Sequence, residues 1–186
     1  MRGLAPKGTE MSIHKRIDKQ ARLGSAHGFR NDRGGAEWLV GVGFRCWLAG
    51  YDTGDIACWE TGWNEYSRQL GTERAKRAVT ELACFVRSVR ASASRRIEYY
   101  PHGCKGFCAD ECMAISLIAA SQHHRCPAMR ACALALTGSD LVEPVLDSAN
   151  AFADVLQEAD QVLSLDAVAA LAAPWQVRGG EFAARR

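Results

Sequence analysis

The chain has 186 residues, 48% of them hydrophobic, which suits one domain with a sizeable core and excludes wholesale disorder. Twenty-three Lys and Arg against 21 Asp and Glu give +2, so net charge alone marks it as neither polycation nor polyanion. Eight cysteines accompany an N-terminal stretch rich in Arg and Lys that lacks the apolar run of a secretory signal, and Met11 is a candidate start. No run of about 18 apolar residues occurs, so no membrane span is expected. The chain therefore reads as cytoplasmic, where thiols stay reduced.

Charge is uneven along the chain. Residues 1–50 hold nine basic and four acidic groups, +5, and residues 71–130 hold ten and five, again +5. Residues 137–163 hold six acids and no Lys or Arg, −6. Either the acidic segment packs beside the basic ones, or the basic groups form one face for nucleic acid.

Residues 1–34 read as a flexible basic segment broken by Gly24, Gly28, Gly34 and Gly35. AEWLVGVGFRCWLAG at 36–50 is apolar on most sides and suits a buried helix, with a strand across WLVGVGF as the competitor. Asp52 and Thr53 are the expected caps of the next helix, striped by Ile56, Trp59, Trp63, Tyr66 and Leu70 and stopped by Gly71. Thr72 is expected to cap a helix whose stripe is Ala75, Val79, Leu82, Val86 and Val89. Residues 91–106 are irregular, with a short strand possible at RIEYY. Helix is expected again over 107–121, then from Pro127 to Gly138. Asp140 and Glu143 are spaced as a capping box before the stripe Leu141, Val145, Ala149, Phe152, Leu156, Ala159 and Leu163. A short helix at 166–173 and a frayed tail at 176–186 complete the chain. The fold class is all-α: a single-domain bundle of six or seven helices over residues 35–175.

The unusual chemistry lies between 102 and 126. His102, Cys104, Cys108, Cys112, His124 and Cys126 are ligand types for zinc or an iron–sulfur cluster. On one continuous helix Cys104 and Cys112 would lie about 12 Å apart, too far to share an ion. Pro101, Gly103 and Gly106 instead place Cys104 in a loop that folds back toward Cys108 and Cys112, with His124 or Cys126 as the fourth ligand. Two other readings stand beside metal. Cys108 and Cys112 share a stripe with Ile115 and Ala119, as buried thiols do. Cys108 near a helix start, with Lys105 and His102 close by, also suits a redox-active thiol, although Asp110 and Glu111 oppose it. Cys46, Cys58 and Cys132 are expected to pack in the core, and Cys84 to face a second helical layer.

No P-loop or nucleophile elbow is present. An enzyme would need a pocket where His102, Cys104 or His124 meets a carboxylate. The leading expectation is a non-enzymatic binding or regulatory protein, with a protein partner or a second copy of itself, that uses the Cys/His segment. The alternative is an RNA- or ribosome-associated protein using Arg74, Arg77, Arg87, Arg90, Arg95 and Arg96.

Four of the five tryptophans, Trp38, Trp47, Trp59 and Trp63, crowd into two consecutive helices and are expected at the centre of the core. Within them, GFRCWLAG at 43–50 and WETGWNE at 59–65 resemble the two helical ends of ribosome modulation factor, a family of small basic ribosome-binding proteins. Gly43, Gly50, Trp59, Gly62 and Trp63 carry the resemblance, which spans about an eighth of the chain. The linker is shorter here and the family's Cys-Pro-Tyr element is missing. The resemblance implies a helix pair and contact with ribosomes.

Overall fold

A computed structural model describes residues 34–166, and these form six helices with no strand among them. They are α1 (Ala36–Thr53), α2 (Ile56–Leu70), α3 (Thr72–Ser92), α4 (Ala109–Gln122), α5 (Cys126–Thr137) and α6 (Glu143–Glu158). The expected N-terminal segment (Gly34 apart), the rest of the 166–173 helix beyond Asp166, and the tail lie outside the described residues.

Two helices occupy the centre. Every residue of α4 except Ala109 and Met113 is buried, and α1 is buried on most of its circumference. A helix that is apolar all round has to be enclosed by others. α1 packs on α2, α3 and α4, and α4 also packs on α5 and α6. α3 lies against α6, where the rings of Phe44, Phe85 and Phe152 form a line with centroids 6.0 and 6.1 Å apart. That line ties α1, α3 and α6 into one core.

The glycines in WLVGVGF admit close packing and leave the segment helical. The α1–α2 contact is reciprocal: a side chain at Gly50 would strike the Trp59 indole, and one at Gly62 would meet Trp47 at 2.6 Å. Both parts of the ribosome-modulation-factor resemblance are helical; Gly50 and Gly62 make room for Trp59 and Trp47, and Gly43 for Tyr66. Trp38 and Trp47 are buried, whereas Trp59 and Trp63 are only half-buried and Ile56 is 65% exposed. The outer half of the aromatic cluster thus borders solvent.

Several helix ends differ from expectation, each for a local reason. α1 runs through Asp52 and Thr53 and stops at Gly54, whose φ of 71° closes the turn. Asp55 is the cap of α2, its Oδ1 accepting from the Ala57 amide at 2.9 Å. Gly71, with φ of 76°, both ends α2 and begins α3, so Thr72 is already helical. Asp140 does not cap α6. A turn closed by the Val142 amide on the Asp140 carbonyl delays the start to Glu143, with Pro144 in the first turn. Leu141 is consequently 62% exposed and Val142 buried in its place. No strand forms at 96–100, because the backbone there is held by side chains.

Candidate functional site

Arg45 sits in the middle of the apolar helix α1 and is 1% exposed. A buried guanidinium needs partners for its five N–H groups, or its desolvation cost is unopposed. Arg45 has them. Nε donates to Glu111 Oε1 at 2.7 Å and Nη2 to Glu111 Oε2 at 3.1 Å. Nη1 donates to the Cys104 carbonyl at 2.9 Å and the Pro101 carbonyl at 3.4 Å, and Nη2 to the Gly106 carbonyl at 2.7 Å. The guanidinium also lies 5.2 Å from the centre of the Phe107 ring, which packs where α1 has Gly41 in place of a side chain.

Glu111, in the first turn of α4, is fully buried and equally saturated. Besides Arg45 it accepts the Tyr100 amide at 3.2 Å and the Cys108 amide at 2.8 Å. Burial pushes its carboxyl up, and Arg45 with the two amides opposes that shift. Its neighbour Asp110 forms a second latch. Arg95 grips both Asp110 oxygens, at 2.8 and 2.6 Å, and donates to the Ala135 carbonyl, while the Glu98 amide donates to Asp110 Oδ2 at 2.7 Å. Adjacent carboxylates at one helix start thus hold the irregular segment 95–108 by two arginines and three of its amides.

This arrangement decides the fate of the cysteines. Cys104 is half-buried in the latched loop, Cys108 is the cap residue of α4, and Cys112 is buried one turn later. His124 lies in the turn after α4 and exposed Cys126 begins α5, at the other end of α4 and about 20 Å away for a helix of this length. The expected zinc or iron–sulfur set is therefore divided by the helix that was to join it. Among the described residues no group of three or more His, Cys, Asp or Glu is placed to hold a metal ion.

The expected low-pKa thiol is not found at Cys108 either. Its Sγ donates to the Glu98 carbonyl at 3.2 Å, and burial, then the Glu111 charge, pushes the thiol far above its ordinary range. Burial also pushes Cys46, Cys112 and Cys132 up to about 12. Cys46 and Cys132 are core residues as expected, whereas Cys58 is half-buried, as is Cys84, whose Sγ lies 3.9 Å from Arg87 Nη2. No hydrogen bond or ion pair joins His102, Cys104 or His124 to a carboxylate side chain among the described residues.

The six candidate arginines separate into two groups. Arg74 and Arg77 face the acidic end of α6, pairing with Asp160 at 3.5 Å and Glu158 at 2.7 Å. These exposed pairs contribute about 0–1 kcal/mol each and tie up the charges. Arg90, Arg95 and Arg96 instead line one cleft of about 160 Å³ with Asp52, Leu48, Ala93 and Ile97. Arg90 reaches Asp52 Oδ1 at 3.2 Å and lies 5.0 Å from the centre of the Tyr51 ring. Arg87 is exposed one turn earlier on α3, and no carboxylate pairs with Arg87 or Arg96 among the described residues.

A second cavity of about 220 Å³ opens between α1, α2 and residues 99–102, lined by Cys46, Cys58, Tyr99, Tyr100, Pro101 and His102 among others. Asp52 and Tyr99 connect the two cavities through a hydrogen bond from Tyr99 Oη to Asp52 Oδ2 at 3.1 Å.

Sequence reasoning missed Arg45 and the latching role of Asp110 and Glu111. The available signal was one arginine inside an apolar helix, which requires a buried carboxylate elsewhere. Comparison with protein-family models, curated proteins and solved structures finds no match. The likeness at 43–65 therefore does not place the chain in a family. No helix among the described residues is long and apolar enough to cross a membrane.

Two predictions follow from the latches and the thiols. Arg45→Met leaves the Glu111 carboxylate buried without its counter-charge, and should cost about 3–5 kcal/mol of stability in denaturant unfolding. A loss under about 1 kcal/mol would show that the pair is not needed. The folded chain also retains thiol protons that the unfolded chain releases above the ordinary 9.0. That stabilisation is complete below pH 9 and is lost as pH rises toward about 12, so melting temperature should fall steeply across this interval. A flat profile there would mean that these thiols are open to solvent.

Proposed function

We propose that the protein is a non-enzymatic RNA-binding protein that takes the phosphate backbone in the Arg90–Arg95–Arg96 cleft. One observation carries this reading: three arginines from the end of α3 and the segment after it line a single open cleft, with exposed Arg87 one turn before Arg90 on α3. Arginine is the preferred partner of phosphate, because its planar fork donates two parallel bonds to neighbouring oxygens. Arg95 has its four Nη hydrogens taken by Asp110 and by the Arg96 and Ala135 carbonyls and fixes the wall of the cleft, while Arg90, held by Asp52 through one bond, keeps donors for a phosphate. Asp52 and Asp110 pair with two of the four arginines and Glu98 adds a third negative charge nearby, so Arg87 and Arg96, which no carboxylate pairs with among the described residues, are the groups that would attract an anion.

The reading is binding and not catalysis, since a guanidinium holds its proton at any physiological pH and cannot act as a general acid or base. The likeness of α1 and α2 to ribosome modulation factor is in keeping with an RNA partner, and α1 supplies Tyr51 and Asp52 beside the cleft. The Cys/His segment enters as the support of the cleft, through Asp110 and Glu111, and not as its chemistry.

Binding to a short fluorescent RNA should weaken steeply between about 50 and about 200 mM salt, because each phosphate contact releases counterions. Arg87→Ala and Arg96→Ala should each weaken binding and lower the salt slope by about one, with thermal stability unchanged. Undetectable binding at low salt, or affinity indifferent to salt and to both substitutions, would overturn the proposal.

A further inference from the structure

We infer that the cavity beside Tyr99 and Tyr100 receives one unpaired base, so that the ligand is single-stranded RNA and not duplex. The inference rests on the phosphate reading of the arginine cleft and adds what that cleft cannot supply. Phosphate contacts fix position along a strand but do not distinguish an open strand from a paired one.

The two cavities are consecutive along one stretch of chain. Arg95 and Arg96 line the first, Tyr99, Tyr100 and His102 line the second, and Ile97 and Glu98 separate them. They also meet across the Tyr99–Asp52 hydrogen bond, since Asp52 belongs to the first lining and Tyr99 to the second. A strand whose phosphate lies among the arginines therefore has an aromatic-walled recess next to it. At about 220 Å³ the recess is smaller than the roughly 300–1,000 Å³ pockets that enclose drug-sized molecules, and suits a single ring system.

Its chemistry fits a base in three ways. Tyr99, Tyr100 and His102 bring three aromatic rings to the lining, and every base can stack on such a ring. Ala49, Ala57, Cys46 and Cys58 supply small and weakly polar walls, and Arg45, which also lines the recess, already has its N–H groups bonded to Glu111 and to backbone carbonyls. Burial raises the phenols of both tyrosines, so neither sets a phenolate against an anionic strand, and Tyr99 spends its O–H on Asp52. The wall is also held rigidly. The Tyr100 amide is bound by Glu111 and the Pro101 carbonyl receives Arg45. A recess that is already formed loses little entropy on filling. A duplex could reach it only by unpairing and extruding a base, at a cost of a few kcal/mol.

The test compares one fluorescent single-stranded RNA of mixed sequence with the same strand in a duplex, by anisotropy on the full chain. The single strand should bind about tenfold more tightly than the duplex. Tyr100→Ala should lose about tenfold for the single strand and leave duplex binding unchanged, while Tyr100→Phe keeps the ring and the affinity. The Tyr100 amide bond to Glu111 survives both substitutions; if Tyr100→Ala melts early, exposed His102→Ala tests the same wall. Salt-sensitive binding of equal strength to both RNAs, or equal loss on both from Tyr100→Ala, would overturn the base recess while leaving the arginine cleft intact. Failure to bind either RNA would overturn both.

Discussion

The fold is organised around one buried ion pair that joins its two central helices. Arg45 of α1 and Glu111 of α4 each lie beyond reach of water, and neither is left with an unused bonding direction. Their mutual attraction alone would not recover the cost of removing both from water. What makes the pair tolerable is the segment 99–108, whose carbonyls and amides complete both groups. The dependence is mutual, because those backbone groups have no helix or sheet to satisfy them. A well-packed apolar pair could join α1 to α4 equally well, but it could not specify the path of this loop.

From that arrangement the rest follows outward. Glu111 and Asp110 are adjacent, so the start of α4 anchors the inner part of the segment to α1 and its outer part to Arg95. Arg95 in turn forms one wall of the arginine cleft, and Tyr100, whose amide rests on Glu111, forms part of the next recess. Cysteines near the pair meet a negative carboxylate and an apolar core, both of which favour the protonated thiol. A guanidinium supplies the positive charge that Glu111 faces at this loop.

The helices were legible in sequence wherever apolar spacing had a single period. Val145, Ala149, Phe152 and Leu156 lie buried in α6 as their spacing requires, and Gly71 and Gly138 stop their helices at positive φ. Helix starts were less legible. Asp52, Thr72 and Asp140 all have cap chemistry, yet the neighbouring Gly54, Gly71 and Pro144 decided where the helices began and ended. The site was legible only in fragments. Arg90, Arg95 and Arg96 were visible as basic residues, but their separation from Arg74 and Arg77 depends on where α6 places Glu158 and Asp160. The cysteine set is divided by length: α4 has 14 residues, and its two ends, about 20 Å apart, cannot share an ion. The pair itself spans 66 residues, a separation that no local pattern encodes.

The most direct test of the central claim is native-state hydrogen exchange at the Tyr100 and Cys108 amides, with chelator and reductant present. Both amides lie in or beside an irregular loop, and both donate to Glu111. If the buried pair holds the loop, these amides exchange only as slowly as global unfolding allows, and chelator and reductant make no difference. Exchange at the pace of an open loop, or protection lost on adding chelator, would contradict the account.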